Sequence, residues 1–272
     1  MAPLNIYYQN VRGLRTKANI FLRNVLLNSY DIICITESWL LDGICDSELV
    51  DERYLVWRRD RNYSETGQSL GGGVLIAIKR ELVSDCHHDW CSSAEDLWIT
   101  LSLRRSRPQT AFKIHICCIY ICGQNQGYSM DQQLINFSDK LSDIVTSHPN
   151  DCFIVLGDFN LPNVAWCHSD VENALTPTNI AGTSQTIFFD NINFCNLQQY
   201  NSITNVNSRL LDLIFSNNNI EVHECDIPLV EMDSHHPPLC ITTNFAKMNT
   251  LGTTSRIKYL YDEANSLQFP MS

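Results

Sequence analysis

The chain has 272 residues, 44% of them hydrophobic and 18% charged, a composition typical of a globular protein with a sizeable core. No run approaches the ~18 uninterrupted apolar residues of a membrane span, and the first residues lack the pattern of a secretory signal, so we predict an intracellular protein, nuclear or cytoplasmic, with no membrane partner. The net charge of −11 is unusual for a nucleic-acid binder and arises in residues 114–246, where fourteen acidic residues outnumber two basic ones.

Strand-length runs of apolar and β-branched residues recur along the whole chain. They cover residues 4–8, 31–36, 73–78, 96–103, 112–121, 151–158, 210–216 and 238–243. Apolar residues repeat at helical spacing in three further segments, 15–28, 129–147 and 184–195. This order lacks the strict strand–helix alternation of a nucleotide-binding sheet, so we predict an α/β fold with two stacked sheets flanked by helices. We assign residues 1–246 to this domain and 247–272, which lack a clear period, to a tail or linker.

Two polar motifs stand directly after buried strands. Asp158 and Asn160 belong to the sequence GDFN, which follows the continuously apolar run at 153–156. Glu37 belongs to the sequence TESW, which follows the apolar run DIICI. An acid at the end of a buried strand is costly unless it is paired or binds a cation. Because Mg²⁺ prefers oxygen donors, we predict Glu37 as a magnesium ligand, although each motif could also be an ordinary polar turn.

Three further sites complete a set of residues suited to hydrolysis. Asn10 follows the first strand and could help to position a metal, and Arg12 beside it could contact a phosphate oxygen. Asp212 interrupts an apolar strand and needs a partner, which His235 in the sequence DSHHPP could provide. An Asp–His pair orients the imidazole and raises its basicity. Together these residues favour metal-assisted attack of water on a phosphodiester.

Phosphate-contacting arginines are expected in the first half of the chain, where acidic and basic residues balance. Besides Arg12, we predict that Arg59 and Arg61 of the segment RRDR contact DNA. The acidic second half predicts weak, salt-sensitive affinity for DNA.

At these residues the chain resembles the endonuclease/exonuclease/phosphatase superfamily. The matching segments are QNVRGL, TESW, GGGV, a tyrosine that ends a strand (Tyr120), GDFN, SRLLDLIF and HHPP, and they span about residues 4–243. Within the superfamily, TESWL, RRDR followed by GGGV, and DSHHPPL look most like the apurinic-type endonuclease domains of non-LTR retrotransposons.

The resemblance implies a four-layer α/β sandwich of two packed mixed sheets between helices. It implies a divalent metal, Mg²⁺ or alternatively Mn²⁺, held chiefly by Glu37 with help from Asn10. Asp158 and Asn160 would position and activate water and phosphate, and Tyr120 would contact the phosphate. His235, oriented by Asp212, would be the base or stabilise the transition state. The implied product is a DNA nick with a 3′ hydroxyl, which would prime a reverse transcriptase module in a longer parent polyprotein.

The sequence departs from the superfamily pattern at two positions near the metal. The superfamily usually has Ser-Asp-His before the last strand, so Ser234 stands in the Asp place if His235 takes the His place. Asp233 could still reach the site, or His236 could take the histidine role. Arg12 replaces an acid that some branches have near the metal. Two other functions therefore stay open: a catalytically decayed domain that binds nucleic acid weakly, and a phosphatase for small molecules or lipids.

Overall fold

The computed structural model describes residues 3–104, 111–169, 171 and 173–246. The strands are β1 (Pro3–Asn10), β2 (Ile32–Thr36), β3 (Tyr54–Arg59), β4 (Val74–Lys79), β5 (Ser84–Cys86), β6 (Glu95–Arg104), β7 (Ala111–Tyr120), β8 (Gln124–Asn125), β9 (Tyr128–Ser129), β10 (Cys152–Asp158), β11 (Ala165–His168), β12 (Leu175–Thr178), β13 (Gln198–Gln199), β14 (Asp212–Ser216), β15 (Ile220–Glu224) and β16 (Leu239–Ala246). The α-helices are α1 (Ala18–Leu27), α2 (Tyr63–Thr66), α3 (Met130–Ser147) and α4 (Thr183–Phe194). The predicted tail or linker at 247–272 lies outside the described residues.

Two large mixed sheets form the centre of the molecule. The first has the strand order β15-β16-β1-β2-β4-β3, and the second has the order β11-β12-β13-β14-β10-β7-β6-β5. Strands β1 and β2 are parallel neighbours in the first sheet, and β7 and β10 are parallel neighbours in the second. The other neighbouring pairs in the two sheets are antiparallel, which makes both sheets mixed.

Three apolar clusters separate four layers. One cluster lies between the two sheets and includes Ile6 and Ile76 from the first and Ile116 from the second. Another joins the second sheet to α3 and α4, and the last joins the first sheet to α1 through Phe21 and Val25. The predicted sandwich of two packed sheets between helices is therefore confirmed.

The longer predicted elements are confirmed to within a few residues. Ser129 caps α3 as its sequence suggests, because its hydroxyl accepts a hydrogen bond from the Gln132 amide while the Gln132 side chain accepts one from the Ser129 amide. The sequence reading missed β3 and several short strands of two to five residues, because they lack a sustained apolar or alternating pattern. Among the described residues, no helix has the length and apolarity to cross a membrane.

Candidate active site

Strand register brings the polar motifs to one edge of the sandwich. Asn10 ends β1 and is paired with Thr36 at the end of β2, so Glu37 follows immediately beside it. In the second sheet Asp158 ends β10, where it is paired with Tyr120 on one side and Asp212 on the other. These residues are far apart in sequence, and the two sheets present them to the same crevice.

Asp158, Asp212 and His236 form a buried acidic cluster. Each offers one ligand atom, and these atoms lie within 4.8 Å of one another, an arrangement that could hold a metal ion. Nδ1 of His236 lies 2.8 Å from Oδ2 of Asp212, and its Nε2 lies 3.8 Å from Oδ2 of Asp158. Burial disfavours the charged imidazole, but Asp212 and then Asp158 outweigh it and raise the pKa of His236 to about 9. Burial, followed by the charge of Asp212, raises the pKa of Asp158 well above its usual value.

Tyr8 is a member of the site that sequence reasoning missed. Its hydroxyl is fully buried and donates a hydrogen bond of 2.5 Å to Oδ1 of Asp212. This bond runs from the first sheet to the second, and together with His236 it satisfies both oxygens of Asp212. Tyr8 occupies an apolar strand, where a tyrosine looks like any other core residue, so the sequence contains no signal for this role.

Asn10 joins the carboxylates of the two sheets. Its side-chain nitrogen lies 2.9 Å from Oδ2 of Asp158 and 3.4 Å from Oε1 of Glu37. Its side-chain oxygen instead accepts a hydrogen bond from the backbone amide of Arg12. In this arrangement the Asn10 group that faces the carboxylates is a donor that orients them, and metal binding by Asn10 stays a prediction.

Tyr120 and Asn160 lie beside these carboxylates, as their motifs suggest. Burial, followed by the charge of Glu37, raises the pKa of the Tyr120 hydroxyl, which stays protonated at neutral pH. The backbone amide of Asn160 donates to Oδ1 of Asp158, and its side-chain nitrogen donates to the carbonyl of Ile121. Asn160 adopts a φ of 51°, a left-handed conformation that asparagine tolerates better than most residues. The GDFN turn thus fixes one oxygen of Asp158 locally.

The predicted pairing of Asp212 with His235 is wrong, because Asp212 pairs with His236. A tight turn from Asp233 to His236, closed by a 3.0 Å backbone hydrogen bond, separates the two imidazoles. The ring of His235 instead lies 3.3 Å from the side-chain nitrogen of Asn207 at the rim. With His236 in the histidine place of Ser-Asp-His, His235 rather than Ser234 occupies the aspartate place.

The predicted DNA-binding arginines differ in their solvent exposure and in their ion-pair partners. Arg12 has a half-exposed side chain, although it forms an ion pair of 2.9 Å with Asp233. Arg59 binds Asp96 at 3.0 Å. Arg61 is only 4% exposed and binds Glu95 at 2.6 Å, which excludes the predicted contact with phosphate. Its guanidinium carbon lies 5.7 Å from the centroid of the Tyr120 ring, so Arg61 packs against Tyr120.

The donor chemistry of the crevice fits a hard divalent cation. Glu37 is partly exposed beside two fully buried carboxylates, Asp158 and Asp212. Burial first, and then the charge of Asp212, raises the pKa of Asp158, and a cation would offset both effects. Magnesium in proteins is often bound by one or two carboxylates together with substrate phosphate and water. Of these three carboxylates Glu37 is the most exposed, so a cation that keeps bound water and substrate phosphate could reach it most easily.

Comparisons with known proteins agree with this architecture. A family model described as "Endonuclease-reverse transcriptase" matches residues 114–240. Among solved structures, the AP endonuclease LMAP from Leishmania major is 14% identical with a TM-score of 0.62, and the match covers 90% of this chain and 89% of that one. The endonuclease domain of TRAS1, a telomere-specific non-LTR retrotransposon, is 12% identical with a TM-score of 0.57, covering 88% and 97%.

A third solved structure shares the same fold. An endonuclease/exonuclease/phosphatase family protein from Bacteroides thetaiotaomicron is 11% identical with a TM-score of 0.53, and the match covers 89% of this chain and 98% of that one. None of the curated proteins matches the sequence. At such low identities the solved structures establish the fold, and the family model adds a match in sequence. The chain therefore has the fold of these endonuclease/exonuclease/phosphatase structures, and its residues 114–240 match the sequence model of the endonuclease-reverse transcriptase family.

Proposed function

We propose that this protein is a divalent-metal-dependent phosphodiesterase that nicks DNA. The observation that carries the proposal is the convergence of Asp158, Asp212 and His236 within 4.8 Å, next to Glu37. Asn10 connects the two halves of this site through one amide nitrogen. A buried carboxylate pair with an oriented imidazole, beside a partly exposed carboxylate, suits hydrolysis of a phosphate ester.

Each residue has a distinct proposed role. A cation held by Glu37, Mg²⁺ or alternatively Mn²⁺, would supply positive charge to the phosphate oxygens. Asp158 would accept a hydrogen bond from the attacking water and align it, while Asn160 fixes the turn that holds Asp158. His236, held by Asp212, would donate a hydrogen bond from Nε2 to a phosphate oxygen and stabilise developing charge. The Tyr120 hydroxyl would contact the same phosphate.

We further propose that the substrate is duplex DNA cut for a non-LTR retrotransposon, leaving a 3′ hydroxyl that primes reverse transcription. The sequence motifs TESWL and DSHHPPL support this assignment, as do the description of the matching family and the fold shared with TRAS1. A reverse transcriptase module in a longer parent polyprotein is the partner that this proposal requires. Arg12, the exposed arginine beside Glu37, is the proposed phosphate contact at the rim.

The test is a supercoiled-plasmid nicking assay with and without Mg²⁺. We expect the wild type to convert supercoiled DNA to open circles only when Mg²⁺ is present. Asp158→Asn, which keeps the shape of the side chain, should lower the rate by at least ~100-fold. The nicked strand should be extended directly by a DNA polymerase, since it ends in a 3′ hydroxyl. Equal nicking by wild type and Asp158→Asn would overturn the proposal.

A catalytically decayed domain is the second candidate, and the Ser234-His235-His236 sequence favours it. His235 stands where the superfamily usually has an aspartate, and Asp233 is occupied by its ion pair with Arg12. This candidate predicts folded, DNA-binding protein without metal-dependent turnover. Hydrolysis of small phosphate esters without any plasmid nicking would instead favour a phosphatase.

A further inference from the structure

We propose that Trp39 is a positioning residue that fixes Glu37 for binding the divalent cation. The inference rests on the proposed function, since it takes Glu37 as the cation ligand. The indole nitrogen of Trp39 donates a hydrogen bond of 3.0 Å to Oε2 of Glu37. On the other side, the Asn10 side chain lies 3.4 Å from Oε1. Each oxygen of the carboxylate therefore has a donor beside it, and the Tyr120 hydroxyl is a further hydrogen-bonding neighbour of Glu37.

Glu37 needs such support because it is the most exposed carboxylate of the site. Asp158 and Asp212 are almost fully buried and have several hydrogen-bond partners, whereas the Glu37 side chain lies partly in solvent. Without these contacts the Glu37 side chain would sample several rotamers. The conformational entropy lost on fixing one rotamer would then weaken cation binding. Hydrogen bonds from outside the ligand set commonly fix a metal-binding carboxylate in this way.

The backbone from Glu37 to Trp39 is built for this contact. Glu37 has a φ of 52° and Trp39 a φ of 54°, both in the left-handed region that residues with side chains rarely adopt. Because such conformations persist only where the surroundings impose them, the turn must be held firmly from both sides.

Two glycine segments hold the turn. On one side, the amide of Gly13 donates to the carbonyl of Glu37 at 2.8 Å. On the other side, the amide of Ser38 donates to the carbonyl of Gly73 at 3.1 Å, and the amide of Trp39 donates to the carbonyl of Gly72 at 2.9 Å. The QNVRGL and GGGV motifs thus contribute backbone partners to the TESW motif.

The glycines also leave the space that Trp39 and Ser38 occupy. A β-carbon on Gly13 would lie 2.6 Å from Cε3 of the Trp39 ring, which is too close for any real contact. A β-carbon on Gly73 would lie 2.6 Å from the hydroxyl oxygen of Ser38. The three motifs therefore pack against one another, and together they hold the Trp39 indole in the orientation that faces Glu37.

The main test is Trp39→Phe, which keeps an aromatic ring and removes the N–H donor. Mg²⁺ affinity is measured from the rise of the thermal unfolding midpoint with Mg²⁺ concentration, a readout independent of catalysis. We expect affinity to fall by about 10-fold or more, as is common when a residue behind a metal ligand is lost. Nicking should recover toward the wild-type rate at saturating Mg²⁺.

Two controls separate positioning from general destabilisation. Trp166→Phe is the matched control, since the Trp166 ring nitrogen is buried without a hydrogen-bond partner in the described part of the chain. It should leave Mg²⁺ affinity within twofold of the wild type. In a Glu37→Gln background, Trp39→Phe should cause no further loss of Mg²⁺ affinity, because the two residues act through one interaction.

A second measurement does not depend on the folding of Trp39→Phe. Tb³⁺ added to the wild type should emit when tryptophan is excited, should be displaced by Mg²⁺, and should lose this emission in Glu37→Gln. Absence of sensitised emission, or wild-type Mg²⁺ affinity in Trp39→Phe, would overturn the inference while leaving the proposed function intact. A wild type that shows no response to Mg²⁺ in either unfolding or nicking would overturn both.

Discussion

Neighbouring histidines in the sequence HHPP have different environments. His236 is buried between Asp212 and Asp158, whereas His235 is turned to the rim beside Asn207. The sequence indicates that a histidine is needed near Asp212, but the turn from Asp233 decides which one arrives. The turn is closed by a backbone hydrogen bond, and the residue types of the segment do not by themselves predict where that bond forms.

The two histidines give a matched pair of substitutions. His236→Gln should reduce metal-dependent nicking by at least ~100-fold, since it removes an imidazolium facing the reacting phosphate. His235→Gln should change the nicking rate by less than about fivefold, because its ring contacts only a rim asparagine. Initial rates at saturating Mg²⁺ measure both effects. A larger loss in His235→Gln than in His236→Gln would contradict the structure.

At the scale of elements, sequence pattern predicts the core strands and helices but not their register. The apolar runs that form β1, β2, β7 and β10 are evident from the order of residues in the sequence. In the structure Asp158 is paired with Asp212 and not with a residue one position away. This register depends on packing across the whole sheet, which the sequence of one strand does not specify. Short edge strands such as β5 have no sustained pattern, because their extended conformation depends on pairing with the adjacent strand more than on their own residues.

A buried ion pair joins the segment after β3 to the start of β6. Arg61 and Glu95 are each 4% exposed and lie 2.6 Å apart, so loss of one partner would leave a buried charge without compensation. Glu95→Gln should lower the free energy of unfolding by about 3–5 kcal/mol, measured by urea titration. Asp46→Asn, which removes an exposed partner of Arg58, should cost no more than about 1 kcal/mol. Similar losses in both variants would contradict this assignment.

At the scale of the whole molecule, many basic side chains are paired with carboxylates of the same chain. In the described part of the chain, five arginines form ion pairs with carboxylates: Arg12, Arg53, Arg58, Arg59 and Arg61. The net charge of −11 leaves little positive surface for a nucleic acid. The sequence indicated this imbalance, but it could not show that Arg59 and Arg61 are committed to internal carboxylates.

This charge distribution predicts a shallow salt dependence of DNA binding. Fewer than about four phosphates should be neutralised, which gives a slope of log affinity against log salt no steeper than about −4. Fluorescence anisotropy with a labelled duplex between 50 and 200 mM NaCl (about a fourfold range) measures the slope. Arg12→Ala should make it shallower by about 1. A slope steeper than about −6 would contradict this prediction.

The candidate active site spans both sheets, and this has a consequence for how the proposed activity would be lost. Asn10 and Tyr8 belong to the first sheet, yet they donate to Asp158 and Asp212 of the second. A small slip of one sheet over the other would break both bonds while leaving every strand intact. Enzyme turnover should therefore vanish early during gentle denaturation, before circular dichroism reports any unravelling of the backbone.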